Sequence, residues 1–306
     1  MRILFFGSSG FSVPALRSTD SLLSCVVTRR TKPKGRGYLL EDGEVKRMAQ
    51  TLNLPLVELD SFKDEKAQDL VALRPDLLVV VSFGLIIPGW FLNVPSVGAI
   101  NVHPSLLPRY RGPAPIQWAI MNGDAETGLT IIKMNERMDA GDILYQERIP
   151  IGGEENAETL SSRLAARTGE ILPDFITAID KGGLPRGVPQ KDDEATYTAM
   201  IDKEMGHISW ARPPAEIVRQ VRALVTWPTA FTRLDERLLK VFDAAERRRT
   251  ADVQPGTVLE AGPEGLLVGC SGGSVLLREV QLENKRRMSG SEFSRGYRGI
   301  VGKELG

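Results

Sequence analysis

Short apolar runs separated by amphipathic stretches fill the first half of the chain, and they predict strands and helices in alternation. Residues 3–6 read as a buried strand that ends at Gly7-Ser8-Ser9-Gly10, and Pro14 suits the first turn of the helix after it. A second strand is predicted over residues 25–28. Helices follow over 44–52 and 63–73, and residues 77–82 read as a central strand, apolar on both faces because both are covered. Two more strands are expected over 99–102 and 129–134, with a proline-started helix over 115–121 between them. Helical spacing over 158–179 closes this part. The alternation is that of a parallel α/β sheet.

The character changes after Lys181. The stretch Gly-Gly-Leu-Pro-Arg-Gly-Val-Pro-Gln-Lys-Asp-Asp-Glu has no hydrophobic period and is rich in glycine, proline and charge, as linkers are. Beyond it, a helix over 214–224 is followed by short strands over 229–234, 238–243, 256–260, 265–269 and 274–281. Closely spaced short strands with glycine-rich turns predict a small barrel. The pattern therefore divides the chain into a first domain over 1–183, a linker over 184–204 and a second domain over 205–306.

Composition narrows the class. With 42% hydrophobic residues and 39 basic side chains against 39 acidic ones among 306, intrinsic disorder is excluded. Two cysteines, Cys25 and Cys270, exclude a disulfide scaffold and read as buried thiols of a reducing compartment, which points to the cytoplasm. The longest apolar stretch, over 77–88, is broken by Ser82 and Gly84 and falls short of the ~20 residues of a membrane span. The first residues run into a strand rather than a cleavable signal. Zero net charge means that a nucleic acid partner would have to be met by a local basic patch.

Candidate chemistry is sparse. Of the two histidines, His207 precedes Ile208-Ser209-Trp210 and reads as a packing residue. His103 sits where a buried strand leaves the sheet, the place at which open α/β sheets gather ligands and reacting groups. Asn101 is two residues away on the same strand, so both side chains share a face. A carboxamide that donates to a developing oxyanion beside an imidazole that moves protons suits acyl transfer. Capping of the turn explains the same pair equally well. An aspartate of the Arg137-Met138-Asp139-Ala140-Gly141-Asp142 loop could orient His103, although Asp139 and Asp142 also read as turn residues, Asp142 in particular.

Residues 29–37 carry five positive charges, including Arg30, Lys32, Lys34 and Arg36, and this glycine-jointed loop could close over a phosphate backbone. Lys285, Arg286 and Arg287 could extend that path. Gly7-Ser8-Ser9-Gly10 lacks the Gly-x-Gly spacing of a dinucleotide site, and the cysteines and histidines have no metal-ligand spacing. No NAD and no metal are expected.

The run Asn101-Val-His-Pro-Ser-Leu-Leu-Pro-Arg-Tyr-Arg-Gly-Pro-Ala-Pro-Ile-Gln, with Met138-Asp-Ala-Gly-Asp-Ile-Leu downstream, resembles the core motif of the folate-dependent formyltransferases. The likeness continues through Lys34-Gly-Arg-Gly, Val79-Val-Val-Ser-Phe-Gly-Leu-Ile-Ile-Pro, Arg222-Ala-Leu-Val-Thr-Trp-Pro and Gln254-Pro-Gly-Thr-Val-Leu. It covers essentially the whole chain, and its C-terminal half is similar to the tRNA-directed branch. The resemblance implies a Rossmann-like catalytic domain joined to a C-terminal barrel of oligonucleotide-binding (OB) type. It implies transfer of the formyl group of 10-formyltetrahydrofolate to methionine on initiator tRNA, without a metal, by a monomer. By motif, Asn101, His103 and Asp139 become the catalytic trio. Ser105, Leu106, Leu107 and Pro108 become part of the folate site, and Phe83, Gly84 and Leu85 line its pterin pocket. The basic loop becomes the tRNA-approaching loop, with Arg36 as its key arginine. Glu41 and Asp42 depart from the lysine-rich family pattern there, which weakens the loop's expected hold on tRNA. Three alternatives compete: a 10-formyltetrahydrofolate hydrolase, a formyltransferase acting on sugar-nucleotide amines, and a non-enzymatic RNA-binding protein. Asn101 counts against the first, the basic loop and barrel motif against the second, and the complete trio against the third.

Overall fold

The computed structural model describes residues 1–30, 42–247 and 254–306. These residues form two compact units. One holds Met1–Pro115, Glu126–Pro150 and Ser161–Thr198; the other holds Ile116–Ala125, Ile151–Leu160 and Ala199–Gly306.

In chain order the elements of the first half are β1 (Ile3–Gly7), α1 (Val13–Thr19), β2 (Cys25–Arg29), α2 (Glu44–Thr51), β3 (Leu56–Leu59), α3 (Glu65–Ala72), β4 (Leu77–Val81), α4 (Gly89–Leu92), β5 (Gly98–His103), α5 (Pro115–Asn122), β6 (Glu126–Lys133), β7 (Ile143–Pro150) and α6 (Ala157–Gly182). The seven strands make one sheet in the order β3-β2-β1-β4-β5-β6-β7. The first five run parallel, as the apolar pattern predicts. The last two do not: β6 runs antiparallel to β5, and β7 antiparallel to β6, so the sheet is mixed. Strands β3 and β7 were not expected from sequence. Strand β7 (ILYQERIP) is half-exposed along most of its length, as an edge strand is, and so lacks an apolar run.

Strands β1 and β4 are buried at every residue. On one face Phe6 meets the rings of Phe62, Phe83 and Phe91 at centroid distances of 6.4, 5.1 and 5.9 Å. Each such burial contributes about 1.5–3 kcal/mol. Helix α6 starts where it does because the Asn156 side chain accepts from the backbone N–H groups of Glu158 and Thr159, both at 3.0 Å.

The second unit contains α7 (Pro214–Ala223), β8 (Ala230–Leu234), β9 (Arg237–Arg247), β10 (Val258–Gly262), β11 (Gly265–Cys270), β12 (Gly273–Leu282), β13 (Met288–Ser289) and α8 (Gly290–Gly296). Its antiparallel sheet has the order β10-β11-β12-β9-β8, with β13 beside β12. The chain end ties the two edges together. Val258 donates to Lys303 and Leu305 to Gly256 on one side, and Arg233 exchanges bonds with Gly306 on the other. Ile217 and Val221 of α7 and Phe293 of α8 join the core that this closure encloses. Helix α8 escaped the sequence reading because it is short; Ser289 caps it by accepting from Glu292 N at 3.1 Å. Among the described residues no helix is long and apolar enough to cross a membrane.

Candidate active site

Strand β5 carries Asn101 and His103 toward its carboxyl end, on one face of the strand, with His103 opposite Thr130 of β6. His103 is only 5% exposed. Its Nε2 lies 2.9 Å from the carbonyl oxygen of Tyr110. A carbonyl only accepts, so Nε2 carries the hydrogen and donates it; in the neutral ring the lone pair then sits on Nδ1. That nitrogen faces Asp139 Oδ2 at 3.6 Å.

Asp139 comes from the β6–β7 connection and holds φ at +51°, a left-handed region that outside glycine is entered most readily by asparagine and aspartate. Its Oδ2 accepts from the backbone N–H of Gly112 at 2.9 Å, and its Oδ1 accepts from Asn101 Nδ2 at 3.4 Å. Gly112 has φ +102° there, and an added Cβ would stand 3.0 Å from the Thr198 carbonyl. Carboxamide and imidazole, up to 38 residues from the carboxylate in sequence, thus both approach Asp139 in the first unit, at 3.4 and 3.6 Å. Asp142, by contrast, takes no part in this cluster; its carbonyl accepts from Lys133 N in the turn.

The segment after His103 is fixed by internal bonds. Ser105 is fully buried and donates its hydroxyl to the Arg109 carbonyl at 2.7 Å. Thr130 Oγ1 donates to the Ser105 carbonyl, and Gln146 Nε2 donates to the Leu107 carbonyl at 2.9 Å. Pro108 gives its carbonyl to Thr196 N. Leu106 is half-buried and packs against Gly128. Phe83 is buried in the core, its ring against Phe6 and Phe62. Gly84 accepts from Arg29 Nη1, and Leu85 borders a cavity of about 290 Å³ together with Ile86, Pro88 and Trp90.

Of the basic residues, Arg30 pairs with Asp60 at 3.0 Å. Lys32, Lys34 and Arg36 lie outside the described residues. Lys285 is exposed, Arg286 pairs with Glu292, and Arg287 pairs with Glu279 while its guanidinium covers the Phe242 ring at 4.1 Å. Two of these three charges are therefore already answered by carboxylates, which reduces what they offer a phosphate. His207 packs edge-on against Phe231, as a packing residue would.

Sequence reasoning missed four participants: the Tyr110 carbonyl, the Gly112 N–H, Arg111 and Gln190. The first three lie inside the quoted motif but act through backbone or from full burial. Residues 184–198, read from sequence as linker, belong to the first unit and supply the fourth.

The chain matches two family models, one described as formyl transferase over residues 1–176 and one as formyl transferase, C-terminal domain, over residues 200–298. It is 40% identical to methionyl-tRNA formyltransferase of Geobacter sulfurreducens over 100% of this chain and 97% of that protein. It is 39% identical to the protein of the same name from Myxococcus xanthus, over 99% and 97%. Among solved structures, a sugar 3N-formyl transferase, WlaRD, superposes with a TM-score of 0.66 at 18% identity, over 94% of this chain and 99% of that one. HypX from Aquifex aeolicus in complex with tetrahydrofolic acid superposes with a TM-score of 0.65 at 19% identity, over 99% of this chain and 48% of that one. At such identities the structural likenesses concern the fold.

Proposed function

This chain belongs to the formyl transferase family, and on that premise we propose that it transfers the formyl group of 10-formyltetrahydrofolate to the α-amine of methionine esterified to initiator tRNA. The observation that carries the choice of acceptor is the 40% identity that runs through both units to relatives of that name.

The donor set fits this chemistry. Esterification lowers the basicity of the methionyl amine, so a neutral, nucleophilic fraction exists near pH 7. In this reading Asn101 directs an amide N–H at the formyl oxygen, where negative charge develops; one donor of this kind contributes ~10²–10³ in rate. His103 takes a proton from the attacking amine at Nδ1 and delivers it to the departing N10 of the folate. Asp139, 3.6 Å from that nitrogen, steadies the ring's positive charge. Tyr110 keeps Nε2 engaged, so the ring presents one basic nitrogen in one orientation. Residues 105–108 and the 83–85 backbone border the folate. The basic loop with Lys32, Lys34 and Arg36 approaches the tRNA, assisted by Arg30 and by residues 285–287 of the barrel. The protein acts as a cytoplasmic monomer.

The test is incubation with 10-formyltetrahydrofolate and charged initiator tRNA, scoring formylmethionyl-tRNA against release of unformylated folate. Formate release without acylated amine would make the protein a hydrolase. Transfer to an amino-sugar nucleotide in preference to tRNA would make it a sugar enzyme. A separate run with Arg36→Ala should raise KM for tRNA far more than KM for folate.

A further inference from the structure

Residues 188–198 have the composition of a linker, yet several of their polar side chains bond to the backbone or side chains of residues 110–111 and 137–141. Gln190 is the centre of this arrangement. Its Nε2 donates to the carbonyl of Asp139 at 2.8 Å and to the carbonyl of Gly141 at 2.7 Å, which uses both hydrogens of the amide. Its Oε1 accepts from Arg111 Nε at 3.0 Å, which fixes the amide's orientation. Arg111 is wholly buried. Its Nη1 donates to Asp192 Oδ1 at 2.9 Å and to the Tyr197 hydroxyl at 3.2 Å, and the Tyr197 ring lies 5.9 Å from the guanidinium carbon. The other oxygen of Asp192 accepts from Arg137 Nη2 at 2.7 Å, two residues before Asp139.

A parallel set of bonds holds the other side of the site. Tyr110 N donates to Thr196 Oγ1 at 2.8 Å, and Arg111 N donates to the Thr196 carbonyl at 2.8 Å. Tyr110 is the residue whose carbonyl engages His103 Nε2. One strap of chain therefore bonds both to the turn that presents the carboxylate and to the residue that orients the imidazole. Asp139 holds a left-handed backbone conformation, and the two bonds from Gln190 fall on that turn.

We propose that Gln190 is a positioning residue for formyl transfer: it sets the place of the Asp139 carboxylate opposite His103 through two amide donors, and Arg111, anchored by Asp192, aims it. The inference rests on the formyl-transfer reading above and adds the linker to the machinery. A displacement of about 1 Å at a reacting group costs on the order of 10² in rate. Gln190→Ala in the full chain should therefore lower kcat for formylmethionyl-tRNA synthesis by about 10²-fold while KM for folate and for tRNA stays within about threefold. Gln190→Glu keeps an acceptor for Arg111 but opposes two carbonyls with a carboxylate, and it should lose at least about tenfold in kcat; it carries the test if the alanine variant fails to fold.

The decisive measurement is a double-mutant cycle with Asp139→Ala. Because Gln190 acts through Asp139, adding Gln190→Ala to Asp139→Ala should change kcat by less than twofold. Full additivity of the two losses would make Gln190 a general structural residue and overturn the proposal. So would a kcat for Gln190→Glu equal to that of the unaltered protein. If the unaltered protein makes no formylmethionyl-tRNA, the functional reading fails instead, and that outcome is visible before any variant is compared.

Discussion

Substitution of Gly141 tests the site's dependence on the turn that carries Asp139. An ideal Cβ at Gly141 would stand 1.7 Å from the Lys133 carbonyl oxygen and 2.8 Å from its carbonyl carbon, whereas ordinary van der Waals contact begins near 3.4 Å. Neither partner yields easily. Lys133 ends β6, its N–H is bonded to the Asp142 carbonyl at 2.9 Å, and the next residue, Met134, donates to Ala99 of β5 at 2.8 Å. The strain in Gly141→Ala must then be relieved by the turn, which has to move by more than 1 Å to restore contact distance. Asp139 is two residues away and shares the Gln190 bonds with Gly141. A shift of ~1 Å at a catalytic group costs ~10² in rate, equivalent to about 2.7 kcal/mol of transition-state stabilisation. Overpacking itself costs about 1–3 kcal/mol of stability. Steady-state formyl transfer should show kcat reduced about 10²-fold with KM little changed, and a thermal scan should show a modestly lower midpoint. A kcat within twofold of the unaltered protein, in a variant whose melting curve is unchanged, would refute the reasoning: either the Lys133 carbonyl moves freely or the place of Asp139 does not govern the rate.

Three further outcomes are expected. Asp139→Asn keeps an acceptor for Gly112 N but removes the charge facing His103, so kcat should fall ~10²-fold or more while folate affinity, read by calorimetry, stays nearly intact; unaltered turnover would remove Asp139 from the mechanism. Burial pushes the thiols of Cys25 and Cys270 up to about 11, so the native protein should not react with a thiol-disulfide reagent at pH 8, and both should titrate rapidly in denaturant; fast reaction of the native protein would contradict their burial. The hydrogen bonds from Arg137, and then from Arg111, hold the Asp192 carboxyl below the 3.8 of a free aspartate. A depressed folded value stabilises above the unfolded value and is lost as pH falls through the folded one. The stability difference between the unaltered protein and Asp192→Asn should therefore be small but present at pH 7, be reduced by salt, and vanish in acid below the range of an ordinary carboxylate; a difference that grows on acidification would reverse the assigned sign.

The parts of the molecule legible in sequence are those whose information is local. Strands β1 and β4 declare themselves because every residue is apolar and both faces are covered. Direction is not recorded in that pattern, since a strand buried on both faces looks the same whichever way it runs. The antiparallel β6 therefore reads in sequence as one more member of a parallel sheet. Strand β7 is invisible for the opposite reason, its half-exposed residues having no apolar run to betray them. Asn101 and His103 could be paired from their spacing alone, because two residues on one strand share a face by geometry.

The partners that the fold gathers around those two residues cannot be found in this way. The Tyr110 carbonyl and the Gly112 N–H are backbone groups, and no side-chain letter announces a carbonyl that will hold an imidazole. Arg111 carries a charge, and a charged residue between Tyr110 and Gly112 reads as surface; it is buried because Gln190, Asp192 and Tyr197, some 80 residues later, supply its hydrogen-bond partners. A stretch such as 184–198 reads as linker because it has no hydrophobic period, and it has none because its order comes from polar bonds to another part of the chain rather than from burying a face of its own. Periodicity detects segments that bury a face of their own and passes over those whose order is lent by bonds elsewhere. Gln190 belongs to the second kind, and its two donors fall on the turn that presents Asp139.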